Sequence, residues 1–363
     1  MTAKINIEKV LVAPLDWGMG HATRCISLIQ SLLHNGYKVL IAASDQQKIF
    51  LQQEFPEIEF LELKGYEVRY SKSGWLFLFK LFAQVPRVLS IIKYEHQWLN
   101  KIIDEQKIDL VISDNRFGLH SKKCPCIFIT HQLTVKAPFK WLEKIIQKIN
   151  YSYIDQFTAC WVPDVAGNIN AAGILSHPKK LPKIPVHYLD LLSRFEKHTA
   201  AEKKYDYCIV LSGPEPQRTI LEKLILKDIE HISGKILLVR GLPASEEIIQ
   251  TSENVTIKNY LPGTQLQQVF QQSEYIISRS GYTTVMEILS IQKKSILIPT
   301  PGQTEQEYLA DLLQNQNLAF TISQSKFSTI NAVQQAKQFS YSTISLPVFN
   351  DERLKQLMQQ LEF

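Results

Sequence analysis

Short runs of aliphatic and β-branched residues alternate with longer amphipathic stretches along the whole chain. The runs at Val10 to Pro14, Lys38 to Ser44, Ile58 to Leu63, Leu110 to Asp114, Cys126 to Thr130 and Ala159 to Pro163 have the length and composition of strands. Helical spacing begins between them near Gly20, Asp45, Trp75 and Phe139. Near-continuous apolar runs predict parallel strands covered on both faces. The pattern breaks from about Ala172 to Tyr205, where Pro178, Pro182 and Pro185 alternate with lysines around one short apolar stretch at Val186 to Leu192. That composition predicts a linker. A second series follows, with strands at Tyr207 to Leu211, Lys235 to Arg240, Val255 to Tyr260, Tyr275 to Ser278, Ser295 to Pro299 and Ala319 to Ile322, and helices from near Pro214, Pro262, Gly281, Glu305 and Thr329. The expected fold is α/β, with two Rossmann-like domains facing each other across a cleft. Its parts are a first domain over 1–185, a linker over 186–206, a second domain over 207–345 and a helical segment over 346–363 that packs back on the first.

Composition narrows the class without changing this architecture. A chain of 363 residues exceeds what one core usually organises, and 45% apolar with 21% charged residues is ordinary for a globular protein. The net charge of +5, with no long block of like charges, disfavours a nucleic-acid partner. Five scattered cysteines predict reduced thiols and a cytoplasmic setting, since Cys124-Pro125-Cys126 lacks the two-residue spacer usual in zinc ligation. Met1 to Glu8 has no apolar core of a signal peptide, and Lys80, Gln84, Pro86 and Arg87 interrupt the longest apolar stretch, Trp75 to Ile92. No membrane-spanning helix is expected.

Two segments carry candidate chemistry. Asp16-Trp17-Gly18-Met19-Gly20-His21 lies between the first strand and a helix, where a parallel sheet presents ligands. Gly18 and Gly20 let the backbone turn, and His21 brings an ionisable imidazole. A dinucleotide fingerprint would need a third glycine where Thr23 stands, yet Asp45 ends the second strand about where a ribose-binding acid would lie. A nicotinamide enzyme is therefore a competing reading. The second segment runs from Ser278 to Glu287, with Arg279, Ser280, Gly281, Thr283 and Thr284 between strand and helix. Backbone N–H groups and hydroxyls there suit a diphosphate, and the Glu287 carboxylate suits a ribose diol. The bland counterpart makes Thr283 and Thr284 helix caps and Glu287 a solvated charge.

Across most of its length the sequence resembles the GT-B glycosyltransferases, nearest glycosyltransferase family 28, which holds the N-acetylglucosaminyltransferase of peptidoglycan synthesis and the diacylglycerol glucosyltransferases. More distantly it is similar to the UDP-glycosyltransferases of secondary metabolism. The resemblance places Gly18 to His21 on the acceptor side, and Phe128-Ile129-Thr130-His131-Gln132 is similar to a family segment at the fifth strand. It makes Ser280 to Glu287 the donor loop, with Glu287 on the ribose, and gives Glu305 and Gln306 the sugar hydroxyls. Ser212 and Gly213 stand in a loop that relatives keep near the phosphates. Arg279 replaces a histidine held against phosphate in the plant relatives, and Leu309 replaces an asparagine that often follows the acid-glutamine pair.

The implied reaction is inverting transfer of a sugar from a nucleotide donor, UDP by resemblance, to an acceptor hydroxyl. His21 would be the general base and Asp114 its orienting acid, with Asp16 the nearer alternative. No Asp-x-Asp metal motif appears, so neither metal nor cofactor is expected. An epimerase of the same architecture, or a lectin-like binder, would use the same donor site. The acceptor would be a lipid or glycan. Trp75 to Phe82 with Arg87 and Lys93, and Lys136, Lys140, Lys144 and Lys148, read either as a core helix with a solvated lysine face or as peripheral contact with the inner face of the membrane.

Overall fold

The computed structural model describes residues 7–66, 74–137, 139–195 and 202–361; the side chains of residues 45, 46 and 74–84 lie outside that set. It divides into two compact units, Met1–Arg194 with Pro347–Phe363, and Phe195–Leu346.

The first unit holds strands β1 (Lys9–Pro14), β2 (Lys38–Ala43), β3 (Glu59–Glu62), β4 (Leu110–Asp114), β5 (Cys126–Ile129), β6 (Ala159–Val162) and β7 (Val186–Tyr188). All pair in parallel, in the order β3-β2-β1-β4-β5-β6-β7. Helices α1 (Met19–His34), α2 (Asp45–Glu54), α3 (Gly74–Gln106) and α4 (Lys140–Ile154) connect them. Val10, Leu11, Val12 and Ala13 are fully buried, as are Leu110, Val111 and Ile112, which is why these strands read as unbroken apolar runs.

The second unit repeats the design with β8 (Tyr205–Val210), β9 (Ile236–Val239), β10 (Val255–Lys258), β11 (Ser273–Ser278), β12 (Lys294–Leu297) and β13 (Phe320–Thr321). Their order is β10-β9-β8-β11-β12-β13, again parallel. Helices α5 (Gln217–Leu226), α6 (Gly263–Gln271), α7 (Tyr282–Ser290), α8 (Thr304–Asn315) and α9 (Thr329–Gln338) belong to it. In each sheet the chain leaves its first strand in one direction and later returns to that strand's other side. The order therefore reverses between β1 and β4 and between β8 and β11, and such switch points open ligand sites at the carboxyl ends of the strands.

One feature departs from the expected elements. Val186–Tyr188, within the stretch read as linker, is a strand because its backbone completes the edge of β6. The units divide at Arg194, inside the expected linker span. The helix expected from near Trp75 is α3, which runs 33 residues and contains Pro86. No helix among the described residues is long and apolar enough to cross a membrane. The side chains of Trp75 to Phe82, read either as a core helix or as a lipid-facing surface, lie outside the described residues.

Helix α10 (Asp351–Gln359) joins the first unit. Asn350 caps it by accepting the Arg353 N–H at 2.9 Å, Ser31 of α1 donates to Asp351 at 2.6 Å, and Arg353 Nε donates to the Tyr188 carbonyl at 3.1 Å.

Candidate functional site

The first switch point gathers a polar cluster that the apolar strands deliver to one place. Gly18, at φ 81°, makes the turn from β1 into α1 in a conformation costly for other residues, so Gly20 and His21 fall on the helix's first turn. Asp114 ends β4, in register with Pro14 of β1. His21 Nδ1 therefore lies 3.1 Å from Asp114 Oδ1; the imidazole remains 15% exposed while the carboxylate is fully buried. One turn along α1, Arg24 closes on the same carboxylate, with Nε donating to Oδ2 at 2.7 Å and Nη2 donating to Oδ1. The Cys25 thiol adds a contact to Oδ2 at 3.6 Å, and Arg24 Nη1 reaches His131 Nδ1 at 3.1 Å.

These charges set the protonation states. Burial lowers the His21 pKa; Asp114 pushes it back up, Arg24 pushes it down, and the outcome lies below the ordinary imidazole value of 6.5. Burial alone would raise Asp114, but the charges and hydrogen bonds of Arg24 and His21 hold its carboxyl well below the usual carboxylate range. At neutral pH the cluster pairs a neutral imidazole with an ionised carboxylate. Arg24 thus offsets the lift that Asp114 alone would give His21. The tautomer decides the chemistry: with Nδ1–H donating to Asp114, Nε2 is a free base, whereas the other tautomer would accept from Arg24 Nη2, 2.9 Å from Nδ1. Asp16, the alternative orienting acid, accepts the Tyr66 N–H at 3.0 Å and faces Arg116 at 3.7 Å.

At the second switch point, Ser212 and Gly213 follow β8 and are exposed, with Gly213 at φ 100°. Gly281 begins α7 without any side-chain cap. Thr283 and Thr284 are the helix's second and third residues, which removes the capping role considered for them. The opening N–H groups of a helix lack intrahelical acceptors and carry its positive end. Glu287, on the second turn, is 4% exposed, so it is not a solvated helical charge.

Other expected contacts are spent internally. Ser280 is fully buried and its hydroxyl donates to the Gln306 carbonyl at 2.8 Å. The Gln306 amide accepts from Thr300 N–H at 2.9 Å and donates to Gln303 at 2.6 Å, bracing the loop before α8. Glu305 is half-buried on the first turn of α8, and Leu309 is a core residue.

Arg279 requires a correction. Expected as a bidentate partner of the diphosphate, it is 1% exposed, and its guanidinium donates to the carbonyls of Ile298, Pro299 and Gln217 and to Gln324 Oε1, at 2.6 to 3.3 Å. Burial pulls its pKa down to about 10. The side chain clamps the loops after β11 and β12 and the segments at α5 and Gln324 from beneath. Arg279→Met should therefore lower the stability of the fold by several kcal/mol, since each buried carbonyl left unpaired costs about 1–3 kcal/mol; urea unfolding measures it, and an unchanged midpoint would refute the clamp.

Sequence reasoning missed Arg24, His131, Gln217 and Gln324. Arg24 had a signal, because it follows His21 by three residues and so shares its helix face. His131 lay in a quoted segment but was given no role. Gln217 and Gln324 had none, being 107 residues apart yet bonded at 3.1 Å.

Comparisons with known proteins agree along the chain. Residues 9–211 match the family model described as Glycosyl transferase family 1, and residues 215–345 match the Glycosyltransferase family 28 C-terminal domain. A UDP-N-acetylglucosamine--N-acetylmuramyl-(pentapeptide) pyrophosphoryl-undecaprenol N-acetylglucosamine transferase from Haemophilus ducreyi is 22% identical over 340 residues, 89% of this chain and 87% of its own. The crystal structure of the glycotransferase of kitacinnamycin superposes with a TM-score of 0.65 at 13% identity, covering 98% of this chain and 95% of that one. That of Acinetobacter baumannii MurG gives a TM-score of 0.57, covering 98% and 100%.

Proposed function

We propose that this chain, a member of the GT-B glycosyltransferases of family 28, transfers a hexose from a nucleotide-sugar donor, a UDP-sugar, to an acceptor hydroxyl with inversion and without a metal ion. The observation that carries the reading is the His21–Asp114 pair at the first switch point, a neutral imidazole held by an ionised, fully buried carboxylate.

In this mechanism His21 Nε2 takes the proton of the acceptor hydroxyl as its oxygen attacks the anomeric carbon. The bond to the donor diphosphate breaks on the opposite face, so configuration inverts and UDP leaves. Asp114 stays ionised and stabilises the imidazolium, as the acid of a triad does. Charge growing on the departing diphosphate is met by the N-terminal N–H groups of α7 behind Gly281 and by the exposed Ser212–Gly213 loop. Glu287 accepts the ribose hydroxyls, and Glu305 contacts the transferred sugar. None of these steps calls for a metal.

Glu287→Ala should weaken UDP binding by about tenfold or more, because a charge-assisted hydrogen bond contributes roughly 1.5–3 kcal/mol. Titration calorimetry with UDP checks it; affinity within twofold of wild type would remove Glu287 from the ribose.

We place the reaction in the cytoplasm, at the inner face of the membrane, with a lipid-linked acceptor. Support comes from five unpaired cysteines and from the undecaprenol acceptor in the relative's name. The epimerase and nicotinamide readings find no such support, since the matched families and relatives are transferases.

A further inference from the structure

Arg116 ties together the two strand ends that carry the first cluster. β1 and β4 both end at the register pair Pro14 and Asp114; the first leads into the turn to His21, and the second ends in the carboxylate that holds it. Asn115, at a left-handed φ of 58°, turns the chain after Asp114, and Ser113 Oγ fixes the turn by donating to the Arg116 carbonyl at 2.6 Å. The fully buried Arg116 guanidinium then reaches back to β1. Its Nε donates to the Pro14 carbonyl at 2.8 Å, and its Nη1 donates to the Lys64 carbonyl at 3.1 Å and to Glu95 Oε1 at 2.8 Å. Nη2, which has no hydrogen-bond partner among the described residues, faces Asp16 Oδ1 at 3.7 Å.

Glu95 fixes the guanidinium in turn. It is fully buried on α3, and its Oε2 accepts the Tyr66 hydroxyl at 2.7 Å and the Gly118 N–H at 3.0 Å. A Cβ at Gly118 would stand 2.2 Å from the Ile92 carbonyl oxygen, so the loop after β4 lies directly on α3. From α2 the buried Gln47 amide donates to the carbonyls of Leu15 at 2.6 Å and Gly18 at 3.3 Å, holding the same turn. A buried ion pair adds little net stability over apolar side chains of the same volume. What this one supplies is a fixed distance between two strand ends.

That distance decides which partner His21 Nδ1 takes. Asp114 Oδ1 lies 3.1 Å from it and Arg24 Nη2 lies 2.9 Å from it. Arg24 sits on α1 with His21, whereas Asp114 belongs to β4. A slip of α1 against β4 therefore weakens the contact with Asp114 and leaves the one with Arg24. Nδ1 would then accept from the guanidinium, the ring proton would move to Nε2, and the acceptor hydroxyl would meet no base. We infer that Arg116, held by Glu95, is a positioning residue that keeps His21 in its Nδ1–H form by strapping the end of β1 to the end of β4. The role rests on His21 being the base proposed above.

Long-range proton–nitrogen correlation spectra of the full chain with isotope-labelled histidine test it, in mildly alkaline buffer where imidazoles are neutral. The His21 signals are those lost in His21→Ala. In the wild type Nδ1 should resonate as a protonated ring nitrogen and Nε2 as an unprotonated one. Arg116→Lys keeps the charge, but one ammonium cannot span Pro14, Lys64 and Glu95 together, so the two resonances should draw towards each other as the tautomers mix. UDP affinity should hold, because the donor groups lie in the second unit. Tyr66→Phe removes only the hydroxyl that braces Glu95 and changes no charge. It should shift the resonances the same way, and it decides the question if Arg116→Lys does not fold. Resonances unmoved in a folded variant would overturn the strap and leave His21 as the base; a wild type that carries the ring proton on Nε2 would overturn both.

Discussion

Replacing His21 with alanine should lower turnover by about 10²–10⁴-fold while UDP binds as tightly as before, because a general base acts on the proton in flight and not on the nucleotide. The expectation rests on the imidazole's 15% exposed edge and on Asp114 holding its other side. Loss of UDP affinity would move His21 to the phosphates, and activity near wild type would make it a structural residue. The pH profile adds a second check. Burial holds the His21 pKa below 6.5, and only the neutral imidazole accepts a proton, so kcat/KM should stay level through neutral pH and fall only as the medium becomes more acidic than 6.5.

Asp114→Asn should lower turnover on the order of 10³-fold, since the asparagine neither selects the Nδ1–H tautomer nor stabilises the imidazolium. The same change strands the buried Arg24 guanidinium, whose Nε and Nη2 both donate to this carboxylate. Removing one partner of a buried pair costs about 3–5 kcal/mol, so the unfolding midpoint should fall as well. Asp114 raises the His21 pKa and Arg24 lowers it; without Asp114 the acid limb of kcat/KM should therefore move to lower pH. A residue serving the fold alone would shift the midpoint and leave that limb in place, so kinetics below denaturing conditions separate the two roles.

Where the sequence was legible, one local cause dominated. Strands buried on both faces leave uninterrupted apolar runs, so β1, β4, β5 and β11 were read within a residue or two. Val186–Tyr188 was misread because three half-buried residues directly after Pro185 carry little strand signal; pairing with β6 makes them one. Glycines at positive φ announce turns, which placed His21 at a helix start beside a sheet edge. What a side chain does after the turn depends on partners far away in sequence. Asp114 could be proposed for His21 because both end a strand or begin a helix at the same end of the sheet. Arg24 shared the His21 motif, but its grip on Asp114 spans 90 residues and becomes visible only when β4 lies beside β1. Arg279 shows the opposite failure: its position in the loop was right and its chemistry wrong, because burial and four carbonyl acceptors outweigh the usual preference of guanidinium for an anion. The burial of Glu287 is likewise something that no local pattern reveals.

The central claim, a nucleotide-sugar transferase whose second unit grips UDP, is tested most directly by thermal unfolding of the wild-type protein in UDP, uridine and NAD. A ligand at 100 times its Kd adds about 2.7 kcal/mol of stability. UDP should raise the unfolding temperature, uridine should raise it less because it leaves the α7 N-terminus without an anion, and NAD should not raise it. A rise with NAD and none with UDP would contradict the account.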